Sequence, residues 1–213
     1  MADIDMKALE NKAWKSTHED GLVDIIIGIL LVSFAIMPFI EAMIGRWYIL
    51  IAVPVPVIFA SLLIYYGKGH ITAPRMGVAK FGPDRQAAKT KSVRLSILTL
   101  IVLVTLVALT ALGKFTDVFG GGLSGLKVPL AIAIGVVILM SVKARLLGIP
   151  RLQVYGFVIG IGVLSVEVLR NLVGRPWHSV ISWGLPGLCI LFYGIRMLTT
   201  FTKKYPLPSE GHE

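Results

Sequence analysis

The chain has little that a soluble, catalytic or secreted protein would need. It holds one cysteine, Cys189, in 213 residues. A single thiol excludes an internal disulfide framework. It lies in an apolar run, where a buried and inert thiol is expected. Charge is scarce too: 15% of residues are Asp, Glu, Lys or Arg, against about 25% in soluble domains. Carboxylates are the scarcer sign, which leaves a net charge of +9. In a soluble protein that excess would suggest nucleic acid. In a membrane protein it reflects Lys and Arg kept on the cytoplasmic side, against anionic lipid headgroups, and no nucleic-acid partner is expected.

Signals for export and catalysis are also missing. The opening stretch MADIDMKALENKAWKSTHED is polar and carries both signs of charge. A cleavable signal needs a basic start, a short apolar core and a small-residue cleavage site, so the first apolar run is expected to act as an uncleaved anchor. No G-x-x-x-x-G-K-S/T loop, G-x-S-x-G elbow, H-E-x-x-H or C-x-x-C occurs. His18, His70, His178 and His212 are scattered along the chain. A haem within a bundle would want histidines inside the spans, so no metal and no cofactor is expected.

What is present is apolar sequence in long runs. Hydrophobic residues make up 55% of the chain. A helix crossing the hydrocarbon core needs about 20 apolar residues. Six candidates follow, at 22–44, 46–66, 93–112, 128–147, 152–173 and 179–198. The second holds Pro54 and Pro56, which predicts a kink or an opened turn there. The fourth is short unless Lys143 and Arg145 snorkel to the interface. None of the runs has the recurring polar face of a soluble helix, or the strict alternation of a membrane barrel. The expected fold is an all-α integral membrane bundle of six transmembrane helices. A cytoplasmic segment (1–21) precedes it and a cytoplasmic tail (199–213) follows.

Basic residues set the orientation. With the N-terminus inside, the inner segments carry sixteen Lys and Arg, and the outer ones four: Arg46, Lys114, Lys127 and Arg175. That bias predicts an N-in, C-in chain. A miscounted helix would move later basic segments to the other side.

Two pairs of stretches look alike. GRWYILIAVPVPVIFASLLIYYG (45–67) and GRPWHSVISWGLPGLCILFYG (174–194) both open on Gly-Arg and a Trp, carry a proline and close on Tyr-Gly. KGHITAPRMGVAKFG (68–82) and KARLLGIPRLQVYG (143–156) each hold a Lys, a Pro-Arg, an aromatic and a Gly. Repeated two-helix hairpins would produce this. So would the general reuse of Gly, Trp and Pro at membrane interfaces, and the poor match between the first and fifth spans favours that plainer origin.

Ionisable groups inside a membrane cost roughly 2.5–3.5 kcal/mol at the centre, which makes each a candidate functional residue. Glu41 lies near the outer end of the first span and Glu167 deeper in the fifth. Arg170 follows Glu167 at i+3, on one helix face. With Arg46, Arg175 and His178 they make an outer mixed-charge group, flanked by Trp47 and Trp177. Glu41, Arg46, Glu167, Arg170 and His178 are thus candidates for a solute or proton site. The plainer alternative is an interfacial belt with ion pairs that fix packing. Asp24 reads more simply as a carboxylate favoured at a helix N-terminus. Gly156, Gly160 and Gly162 supply small-residue spacing for close helix approach, within the bundle or between copies.

The segment 67–92 is the longest inner one and is expected to be a basic cytoplasmic loop. Its first half mixes Gly, Pro, basic and isolated apolar residues. It can lie on lipid phosphates, dock a soluble partner, or stay solvated.

The stretches HEDGLVDIIIGILL (18–31) and HITAPRMGVAKFG (70–82) resemble motifs of an uncharacterised family of small prokaryotic polytopic membrane proteins. They cover under a sixth of the chain. The resemblance implies a bacterial or archaeal cytoplasmic membrane and no particular activity. It also implies that Asp20, Gly21, Pro74, Arg75, Gly77, Lys80 and Phe81 meet at the inner face. With Lys68, that set makes Asp20, Lys68, Pro74, Arg75, Lys80 and Phe81 a candidate lipid or partner site. Three roles stay open: a non-catalytic subunit or scaffold of a membrane complex, a small transporter or channel using Glu41, Glu167 and Arg170, and an intramembrane lipid-modifying enzyme.

Overall fold

A computed structural model describes residues 14, 18–48, 54–76, 82–111 and 127–207. These residues are helical and form no strand among them. Six long helices order the chain: α1 (Leu22–Ile44), α2 (Pro54–Gly67), α3 (Pro83–Ala111), α4 (Lys127–Leu147), α5 (Arg151–Val173) and α6 (Leu185–Lys204). Four stretches are long and apolar enough to cross a membrane: α1, α4 from Pro129, α5, and the helical run Trp177–Lys204 that contains α6. Large apolar side chains cover their outer surfaces, among them Ile36, Ile134, Ile161 and Phe192. That surface suits lipid rather than water.

α1 packs along α6, and α4 along α5. α2 leans on α1, and α3 on α4. A core of Leu31, Ile190, Leu152, Tyr155 and Ala144 joins the two main pairs. Lipid tails are as apolar as Leu, so close packing rather than water exclusion must hold such helices together. The α1–α6 seam does this with small residues. A Cβ on Gly28 would stand 2.7 Å from the backbone nitrogen of Leu191, and one on Gly194 2.6 Å from that of Ile25. Gly187 sits likewise against Leu31 and Val32. The two helices run antiparallel, since Gly21 meets Gly194 while Ala35 meets Gly184. On α5, Gly156 and Gly160 press on Met140 and Ala133 of α4, whereas Gly162 is filled by the ring of Trp183.

Pro54 and Pro56 are the first and third described residues of α2. The kink expected there turns on residues 49–53, which lie outside the described residues. Pro38 sits inside α1. Two helices widen just before a proline. Ala73 N–H donates to Lys68 O ahead of Pro74, and Leu185 N–H donates to Val180 O ahead of Pro186. A proline ring clashes with the carbonyl four residues back, and a five-residue turn relieves it.

The described parts of the segment 67–92 are helical rather than open loop, and residues 77–81 lie outside the described residues. The π turn Lys68–Thr72 and the helix Ala73–Met76 extend α2, and α3 begins at Pro83. Cys189 is exposed on α6, not buried. The look-alike openings at Gly45 and Gly174 share a local form: both glycines end a helix with positive φ, at 64° and 75°. Beyond that turn they diverge, because the widened turn follows α2 in one stretch and precedes α6 in the other.

Candidate functional site

The start of α1 meets the end of α2, the α4–α5 turn and the end of α6 at one end of the bundle. Two carboxylates hold them there. Asp20 is 0% exposed and Asp24 2% exposed. Gly21, between them, takes a left-handed φ of 72°. Only glycine fits that place, since a Cβ would also stand 2.5 Å from Gly194 O. The turn lets Asp20 Oδ1 accept the Leu22 N–H at 3.2 Å, which serves the unpaired helix start. Asp20 Oδ2 accepts from Lys68 Nζ at 3.1 Å and from Thr72 Oγ1 at 2.8 Å. Both donors lie in the widened turn ahead of Pro74.

Asp24 lies one turn further into the bundle. Arg151 Nη1 donates to its Oδ2 at 2.9 Å, and the Tyr155 hydroxyl donates to Oδ1. Arg151 also reaches the His18 carbonyl through Nη2 at 2.6 Å and Met197 Sδ through Nη1 at 2.7 Å. One guanidinium thus binds α1, α5, α6 and the segment before α1. Buried charges persist only when paired and hydrogen-bonded, and these are both.

Trp14 closes this end. Its Nε1–H donates to Leu147 O at 2.6 Å, the Arg85 guanidinium lies 5.5 Å from its ring centre, and the His18 ring lies 4.8 Å away. His18 Nδ1 donates to the Trp14 carbonyl at 3.0 Å. Burial holds the His18 imidazole below its usual pKa, against the Trp14 carbonyl, which raises it. Beneath Trp14 opens a cavity of about 600 Å³, walled by Arg151, Tyr193, Arg196, Thr200 and Lys204.

The opposite end holds the other candidate group. Glu41 accepts from Arg175 at 3.2 Å, and Glu167 pairs with Arg170 at 3.4 Å. Glu167 is 29% exposed and Arg170 44%. Glu41, Arg170 and Arg175 line a cavity of about 380 Å³. His178 is buried beside it, but its ring is engaged: Nδ1 donates to Gly174 O at 3.1 Å, and Ser179 Oγ donates to Nε2 at 3.1 Å. The Arg46 side chain lies outside the described residues.

Of the set implied by the resemblance, Asp20 does meet the 68–72 turn. Pro74 is exposed, and Arg75 turns back to Ile71 O at 3.2 Å rather than to Asp20. Gly77, Lys80 and Phe81 lie outside the described residues. Sequence reasoning missed Arg151, Tyr155, Thr72, Trp14 and His18 as site residues, and it gave Asp24 only a helix-end role. One signal was there: Pro74-Arg75 and Pro150-Arg151 sit in look-alike stretches, and each stretch sends one cation to a buried Asp. Among the described residues no three His, Cys, Asp or Glu side chains gather as a metal site. Comparison of the chain with protein-family models, curated proteins and solved structures finds no match.

Proposed function

We propose that this is a six-span, N-in and C-in protein of a prokaryotic cytoplasmic membrane, acting as a non-catalytic subunit or scaffold of a membrane complex. The observation that carries this is the double carboxylate knot at the Asp20–Asp24 end. Lys68 and Arg151 cross-link four helix ends through Asp20 and Asp24. Such a knot makes a rigid platform, and a rigid face loses little entropy when a partner docks. The platform carries exposed Lys89, Lys91, Arg94 and Arg145. The sixteen-to-four bias of basic residues supports a cytoplasmic placement of that platform.

Crosslinking in native membranes tests the reading. Single cysteines at Lys89 or Arg145, in a Cys189→Ser background, should give a discrete adduct that Arg75→Ala with Lys80→Ala removes. A cysteine at Trp177, at the far end, should give none. A protein that yields no adduct from either platform position and runs as a monomer in native gels is not a subunit of this kind.

A second reading has one observation behind it. The cavity of about 380 Å³ at Glu41, Arg170 and Arg175 could admit a charged solute. Under that reading Glu41→Gln or Glu167→Gln abolishes flux in proteoliposomes, and unchanged flux rejects it.

A further inference from the structure

The cavity under Trp14 has features that the platform role does not use. Its volume, about 600 Å³, suits a small organic ligand rather than a lone ion. Its charges are uneven. Arg151 is neutralised by Asp24 at 2.9 Å. Lys204 shares an exposed, 3.4 Å contact with Glu19, which is weak in water. Arg196 meets no carboxylate among the described residues. A positive surplus therefore faces the opening, beside the hydroxyls of Tyr193 and Thr200.

The same helix face continues into the apolar zone. Leu185, Cys189, Phe192 and Arg196 follow one another at i, i+4, i+7 and i+11, so they share one stripe of α6. All four are exposed. An apolar track thus ends at a guanidinium on the lip of a polar cavity. Tyr193 stands at that junction, as aromatic side chains do at headgroup level.

We propose that this cavity binds the headgroup of an anionic phospholipid. Arg196 and Lys204 receive its phosphate, and an acyl chain lies along Phe192, Cys189 and Leu185. Guanidinium and phosphate match in a two-pronged geometry that an ammonium cannot copy. The site needs no protein partner, so it stands or falls separately from the scaffold role.

Native mass spectrometry of the full chain in detergent tests it, with phosphatidylglycerol and phosphatidylcholine offered together. The wild type should keep phosphatidylglycerol in preference. Arg196→Gln with Lys204→Gln should lower that retention roughly thirtyfold, as expected for two basic residues near an anionic surface. Arg196→Lys should restore part of it, and Arg170→Gln at the far end should change nothing. Phe192→Asn should weaken lipid retention through the chain track. Both cavity residues are exposed, and gel filtration of each variant checks its fold. Equal retention of the two lipids, or wild-type retention in the double variant, overturns the proposal. So does displacement of the lipid by equimolar glycerol 3-phosphate, which would assign the cavity to soluble phosphate esters.

Discussion

Arg151 Nη1 lies 2.9 Å from Asp24 Oδ2 across 127 residues of chain. Asp24 is 2% exposed and the arginine side chain 27%. Removing the cation strands a buried anion. Arg151→Ala should therefore cost about 3–5 kcal/mol, toward the lower end because Arg151 is partly exposed. Arg151→Met with Asp24→Asn should recover most of the loss. Unfolding in mixed micelles by SDS titration measures both, and an Arg151→Ala protein as stable as wild type would refute the knot.

The far-end pairs should behave otherwise. Glu41–Arg175 and Glu167–Arg170 are both partly exposed. Such pairs contribute about 0–1 kcal/mol. Glu41→Gln and Glu167→Gln should each shift stability by less than about 1 kcal/mol in the same titration. A large loss at Glu167 would mean that it is a structural centre after all.

The α1–α6 seam gives a steric prediction with a built-in control. Gly28→Ala and Gly194→Ala each drive a Cβ into backbone under 3 Å away, and overpacking of this kind costs about 1–3 kcal/mol. Gly135→Ala lies mid-helix in α4, where nothing stands within 4 Å of the new methyl group. It should be neutral, or stabilising by up to about 1 kcal/mol through helix propensity. Thermal melts of the three variants side by side decide it.

Acid should loosen the Trp14 end. Folding lowers the His18 pKa, chiefly by burial, so the unfolded chain binds that proton more readily. The stability tied to neutral His18 is present above its unfolded pKa of about 6.5 and declines as pH falls below it. The melting temperature should drop between pH 7.5 and 5.5 by more in the wild type than in His18→Gln. Identical drops in the two proteins would remove His18 as the cause.

The all-helical, membrane-suited character was legible because the length of an apolar run is a local signal. Gly21 and Gly45 bracket α1, and the run 22–44 needs no partner to be recognised. The Glu167–Arg170 pair was legible for the same reason, since i and i+3 share a face. Its partial exposure was not, because exposure depends on neighbouring helices. Asp24 was undervalued for the converse reason. Its nearest charged neighbours in sequence, Glu19 and Asp20, suggest a helix-end role, while Arg151 and Tyr155 arrive from α5. The 68–76 stretch looked like loop because Gly69 and Pro74 are poor helix residues. Hydrogen bonds from Lys68 and Thr72 to Asp20, together with a widened turn, hold it helical.

The glycine seam between α1 and α6 also sets an order of events. α1 leaves the ribosome well before α6, yet each is the other's closest fit. At about 5–20 residues per second, on the order of ten seconds or more of synthesis separate them. Through that interval α1 sits in the translocon or bilayer with Gly28 uncovered and Asp24 awaiting Arg151. The pairing of α1 with α6 therefore waits for every helix between them to be made, and until α5 follows, the Asp24 carboxylate lacks its guanidinium partner.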